Sequence, residues 1–105
     1  MGVPRLKVET RFLRGFAKSY IAETAFTPTA EDDMRTARVS LADVHQALRS
    51  GWVVESDKED AHGARWIVEG STTDDVPLRL CLDVHCQHYR VCVLRVRRIA
   101  GTCDD

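Results

Sequence analysis

Apolar residues recur at helical spacing in the first half of the chain and alternate in the second half. From about Arg5 to Glu23, Phe12, Leu13, Phe16, Ala17 and Tyr20 fall on one side of a helix. Pro28 bars the helical state for Thr27, and a short second helix is expected from about Pro28 to Thr36. Its first turns hold Glu31, Asp32 and Asp33, where the helix dipole favours acids. Ser40 reads as an N-cap, with Asp43 three residues on in a capping-box position. Leu41, Val44 and Leu48 form the stripe of a third helix, and Gly51 is its expected C′ residue.

After Gly51 the period changes to two. Strands are expected over Trp52–Ser56 and Ala64–Thr72, joined by an acidic turn from Asp57 to Gly63. Gly70 interrupts the second strand and reads as a bulge marker. The stretch from Pro77 to Ile99 is the strongest hairpin signal. Leu78, Leu80, Leu82 and Val84 point one way, and Arg79, Cys81, Asp83 and His85 the other. Keeping the apolar set in one core predicts Leu82 opposite Leu94 and Val84 opposite Cys92. That register implies a three-residue loop of Gln87, His88 and Tyr89 and sets Arg79 opposite Arg97. The other face then gathers Arg79, Asp83, His85, Arg95 and Arg97 in a single patch. Like charges set opposite each other cost stability, so either an acid from elsewhere or a bound anion is needed there.

The expected architecture is α+β, with two or three N-terminal helices packed on a four-stranded, mainly antiparallel sheet. One domain spans 1–105: a helical part over about 5–51, a sheet part over about 52–99, and a tail over 100–105. A composition 44% hydrophobic and 30% charged excludes global disorder. No run of about 18 apolar residues is present, so no membrane span is expected. The N-terminus has no signal-peptide core, which makes the cytoplasm the expected compartment.

Charge is uneven along the chain. Arg5, Lys7, Arg11, Arg14 and Lys18 stand against Glu9 alone, and Arg90, Arg95, Arg97 and Arg98 lie in an acid-free stretch. The region between, from Glu55 to Asp75, is acidic. Lys7, Arg11, Arg14 and Lys18 step by four, three and four, so they share one helix side. That side is either an ordinary solvated face or a stripe that tracks phosphates. Cys81, Cys86, Cys92 and Cys103 form no CxxC pair and read as reduced thiols. His85, Cys86 and His88 lack a fourth ligand at good spacing, so neither a metal nor another cofactor is expected. His45 and His62 have no evident partner in the sequence.

The stretch FTPTAEDDMRTARVSLADVHQALRSGWVVE, Phe26 to Glu55, resembles a small, largely uncharacterised bacterial domain family. That family typically shows a box like fTxHAxxRMxxRxIS, a "DV…AL..G.V.E" helix and strand, an "RW.V.G" strand and a hairpin. Matching residues are Ala30, Met34, Val39, Ser40, Asp43, Val44, Ala47, Leu48, Gly51, Val53 and Glu55, then Arg65, Trp66, Val68 and Gly70. The family is grouped with RelE- and MqsR-like ribonuclease toxins. The resemblance therefore implies a RelE/barnase-like toxin architecture, RNA as substrate and a cognate antitoxin as partner. The chain departs from the box at Thr29, Asp33 and Ala37, and a Thr-Val-Tyr pattern near the end becomes Arg95-Val96-Arg97.

RNA cleavage of this kind deprotonates the 2′-hydroxyl, stabilises the phosphorane and protonates the leaving 5′-oxygen. His85 is the expected acid or base, with Arg79, Arg95 and Arg97 as phosphate ligands. His88 and Tyr89 are weaker candidates. Three readings remain. One is a metal-independent, toxin-type endoribonuclease. The second is a catalytically degraded relative that binds RNA or a protein. The third is an interaction protein that uses the acidic middle.

Overall fold

Each helix forms where its sequence supplies apolar residues to bury against the sheet. In the computed structural model, which describes residues 5–20, 24–57, 63–85 and 90–99, helix α1 spans Lys7–Tyr20. Leu13, Phe16 and Ala17 are buried, while Lys7, Arg11 and Lys18 are exposed. The expected helix began two residues earlier, at Arg5. Leu6 lies just before the helix: its carbonyl accepts the Thr10 N–H as the first helical bond, and its N–H donates to the Val53 carbonyl. Residues 21–23 and the Tyr20 side chain lie outside the described set.

Strand β1 is Ala25–Phe26, and helix α2 is Pro28–Ala37. The Thr27 hydroxyl accepts the Ala30 N–H as the N-cap and donates to the Leu94 carbonyl at 3.0 Å. Helix α3 runs Leu41–Ser50, with the Ser40–Asp43 capping box closed from both sides. Gly51 ends it with φ −80° and ψ −177°, not in the left-handed conformation of a C′ glycine. Its lack of a side chain serves close packing instead. A Cβ on Gly51 would lie 2.5 Å from the Ala47 oxygen, and one on Gly70 would lie 2.6 Å from the same atom. The two glycines let the last turn of α3 rest directly on the sheet.

Strands β2 (Trp52–Ser56), β3 (Ala64–Ser71), β4 (Pro77–His85) and β5 (Arg90–Arg98) complete one five-stranded sheet of order β1-β5-β4-β3-β2. The sheet is mixed, because β1 pairs parallel to β5 while the other pairs are antiparallel. The four-strand expectation missed β1, whose two residues are too few for a visible alternation. Pairing of β3 with β4 runs unbroken through Gly70, so Gly70 marks no bulge. The bulges fall elsewhere, between Val53 and Glu55 in β2 and at Leu94 in β5.

The Leu94 bulge corrects the hairpin register. Arg79 faces Arg97 and Cys81 faces Arg95, as expected, but Leu82 then faces Val93 and Val84 faces Val91. The extra residue flips the phase of β5, so Val91, Val93 and Val96 are all buried while Cys92 and Leu94 are only half-buried. Sequence alternation alone could not choose this, because VCVLRV reads as apolar in either phase. The expected turn at Gln87, His88 and Tyr89 lies outside the described residues, as does Cys86.

The core lies between the helices and one face of the sheet. Leu13 and Phe16 of α1, Val44 and Leu48 of α3 and the leucines of β4 form a single buried cluster. Phe12 meets Trp66 edge-to-face at 5.7 Å between ring centres. The opposite sheet face carries Arg65, Glu69, Arg79 and Arg97, and Asp83 pairs there with the half-buried Cys92.

Candidate nucleic-acid interface

The basic side of α1 borders a groove of about 450 Å³. Lys7, Arg11, Arg14 and Lys18 line it together with Thr10, Gly15 and Trp52, and none of these residues is acidic. Glu9, the acid within the basic run, is turned away toward β2, where it accepts a 3.5 Å bond from the Ser56 hydroxyl. The four basic residues expected to act together therefore border one concave surface.

Their roles differ. The Arg14 guanidinium donates to the Gly51 carbonyl at 3.0 and 3.2 Å and to the Ser50 carbonyl at 3.1 Å. It satisfies carbonyls at the end of α3 that have no helical partner. Its guanidinium carbon also lies 4.6 Å from the Trp52 ring centre, and so does that of Arg5. Lys7, Arg11 and Lys18 are exposed. Trp52 and Arg5 were not among the expected site residues. The signal was present, since Trp52 is an aromatic at the start of an edge strand, but only the fold brings α1 across it.

The hairpin residues are less gathered than the sequence reading expected. Arg79 is held by Glu69 through Nε at 3.2 Å and Nη2 at 2.8 Å. Arg95 is held by Asp33 of α2 through Nε at 2.8 Å and Nη2 at 3.3 Å. Asp33 also accepts the Val96 N–H at 3.0 Å. Its carboxyl is held below the usual carboxylate range, chiefly by the Arg95 hydrogen bond and then by the Val96 N–H. Asp33 and Arg95, 62 residues apart in the chain, thus meet as an ion pair.

His85 sits at the other end of the hairpin, opposite Arg90. It lies six positions along β4 from Arg79, about 20 Å at the rise of a strand. His85 is therefore not brought together with Arg79 and Arg97. Its Nε2 lies 3.6 Å from Asp83 Oδ2. Gly63, at φ 98°, leaves room for it, because a Cβ there would fall 2.7 Å from the imidazole Nε2. Arg90 is the arginine that the register sets beside His85, and the sequence reading did not select it. Burial lowers the pKa of His45 on α3, aided by Arg49, and raises those of the Cys81 and Cys92 thiols.

Residues 26–96 match the family model described as Domain of unknown function (DUF4258). The chain belongs to that family. The DUF4258 match runs from the end of β1 almost to the end of β5, so it includes Trp52 and His85 but not α1. The groove of this DUF4258 protein thus joins a family strand to a helix outside the match. No curated protein and no solved structure matches the chain. Among the described residues no helix is long and apolar enough to cross a membrane.

Proposed function

We propose that this DUF4258 protein binds RNA through the α1 groove and acts as an RNA-binding relative of the ribonuclease toxins, in the bacterial cytoplasm and under control of a cognate antitoxin. The observation that carries the reading is the groove itself: Lys7, Arg11 and Lys18 are exposed along a concave surface that, among the described residues, is lined by no acid, beside Trp52. A typical solvated helix face mixes signs, whereas a phosphate-binding surface is of one sign. The hairpin supports binding over catalysis, because Glu69 and Asp33 already engage Arg79 and Arg95.

The test is an RNA-binding titration with the full chain and a Lys7→Ala/Arg11→Ala/Lys18→Ala variant. Wild-type binding should weaken with salt, and the triple variant should lose most of its affinity and have a flatter salt dependence. Equal binding by both proteins would remove the groove from the reading.

A second reading, metal-independent toxin-type cleavage, is favoured by the His85–Asp83 contact and by Arg90 opposite His85. In it the His85 imidazole accepts the 2′-hydroxyl proton and the 2′-oxygen attacks phosphorus. Arg90 stabilises the phosphorane charge, and the proton is returned to the leaving 5′-oxygen, giving a 2′,3′-cyclic phosphate and a 5′-hydroxyl. Incubation with RNA in excess chelator tests this. Cleavage by wild type that is abolished in His85→Ala supports it, and intact RNA under varied conditions rejects it.

A further inference from the structure

The two arginines on Trp52 differ in how firmly they are held. Arg14 makes three hydrogen bonds to the carbonyls of Ser50 and Gly51, and its departure would strip the end of α3 of its partners. Arg5 precedes the helix, and its contact among the described residues is the Trp52 ring alone. Trp52 itself is only half-buried, at the start of an edge strand, and borders the groove. Its ring is covered by cations rather than packed into the core.

We propose that the protein selects single-stranded RNA, by stacking an unpaired base on the Trp52 ring at the border of the groove, in the place the Arg5 guanidinium occupies. This rests on the RNA-binding reading above and names the form of RNA. Arg5 is the group that yields, because it alone can leave without orphaning a backbone carbonyl. It then turns to the incoming phosphates, so the exchange costs no cation. Lys7, Arg11 and Lys18 hold the flanking backbone, spread over about 16 Å of helix at the rise of an α-helix. At about 3.4 Å per nucleotide of a stacked strand, that length covers roughly five nucleotides. A duplex keeps its bases paired and offers Trp52 nothing to stack, whereas every unpaired base has a face to offer.

The experiment is fluorescence anisotropy of the full chain with a labelled ten-nucleotide RNA, single-stranded and annealed to its complement. The single strand should bind about tenfold more tightly or better. Trp52→Ala should lose about tenfold of that affinity, consistent with one lost base stack, and lose less of its duplex binding. Trp52→Phe should retain most of the affinity. Titration with the single strand should quench tryptophan emission in wild type, and Trp52→Phe should lose the quench, since its remaining tryptophan, Trp66, is in the core. That comparison decides the matter even if Trp52→Ala fails to fold. Equal affinity for single strand and duplex, or a quench that persists in Trp52→Phe, overturns the stacking inference while RNA binding stands. Absence of binding to either RNA overturns both.

Discussion

The Asp33 carboxylate accepts two N–H groups of Arg95 and the backbone N–H of Val96. Helix α2 is thereby fastened to β5, just past the Leu94 bulge. The same contact removes Arg95 from the set of arginines open to a phosphate. Asp33→Ala should therefore cost roughly 1 kcal/mol of stability, more than an exposed ion pair gives, because the Val96 N–H also loses its partner. Urea denaturation is the measurement. Arg95→Ala should cost less, since Asp33 would keep the Val96 bond.

Asp43 should make the protein acid-sensitive in a defined window. Its carboxyl accepts the Ser40 N–H of the capping box and both the N–H and the hydroxyl of Thr73, which ties α3 to the β3–β4 turn. These bonds, with the Ser40 N–H foremost, hold its pKa down to about 2. A group whose folded pKa is depressed stabilises the fold above its unfolded pKa, and that contribution is lost as pH falls through the folded value. Stability should thus decline between about pH 4 and pH 2. Thermal melts of Asp43→Asn should show lower stability at pH 7 and a shallower decline across that window.

Thr10 protects the β2 edge. Its hydroxyl accepts the Val53 N–H at 2.9 Å, and the Val53 carbonyl accepts the Leu6 N–H at 2.7 Å. Thr10 and Val53 are both buried, so Thr10→Val would leave a buried donor unsatisfied. The expected loss is about 1–3 kcal/mol, measured by chemical denaturation. The freed edge should also raise the tendency to self-associate, seen by light scattering.

Gly51 and Gly70 should both resist substitution, for a steric rather than a conformational reason. A Cβ on Gly51 would also lie 2.7 Å from the Glu69 oxygen, and neither obstacle is a movable side chain. Gly51→Ala or Gly70→Ala should cost about 1–3 kcal/mol as α3 is pushed off the sheet. Gly15 is the contrast: it lies mid-helix with nothing near its would-be Cβ, so Gly15→Ala should stabilise by about 0.5–1 kcal/mol. Comparing their melting temperatures checks the distinction.

Elements whose signals are local can be read from the sequence. The Ser40–Asp43 box, the buried Leu13–Phe16–Ala17 stripe and the alternation of β4 follow from periodicity and capping within a few residues. The sequence also placed Lys7, Arg11, Arg14 and Lys18 on one helix side, because that follows from 3.6 residues per turn alone. What those residues meet depends on how the chain folds back on itself. Strand β1 exists because β5 offers it a parallel edge, and the phase of β5 turns at Leu94, where Thr27 captures the bulged carbonyl. The partners of Arg79 and Arg95 and the placing of Trp52 beside α1 depend on contacts between residues distant in the chain. The hairpin arginines stood out in the sequence because their neighbours along the chain carry so little acid. In space, acids from β3 and α2 reach Arg79 and Arg95, Arg97 stays exposed on β5, and α1 carries a second exposed basic group from which Glu9 turns away.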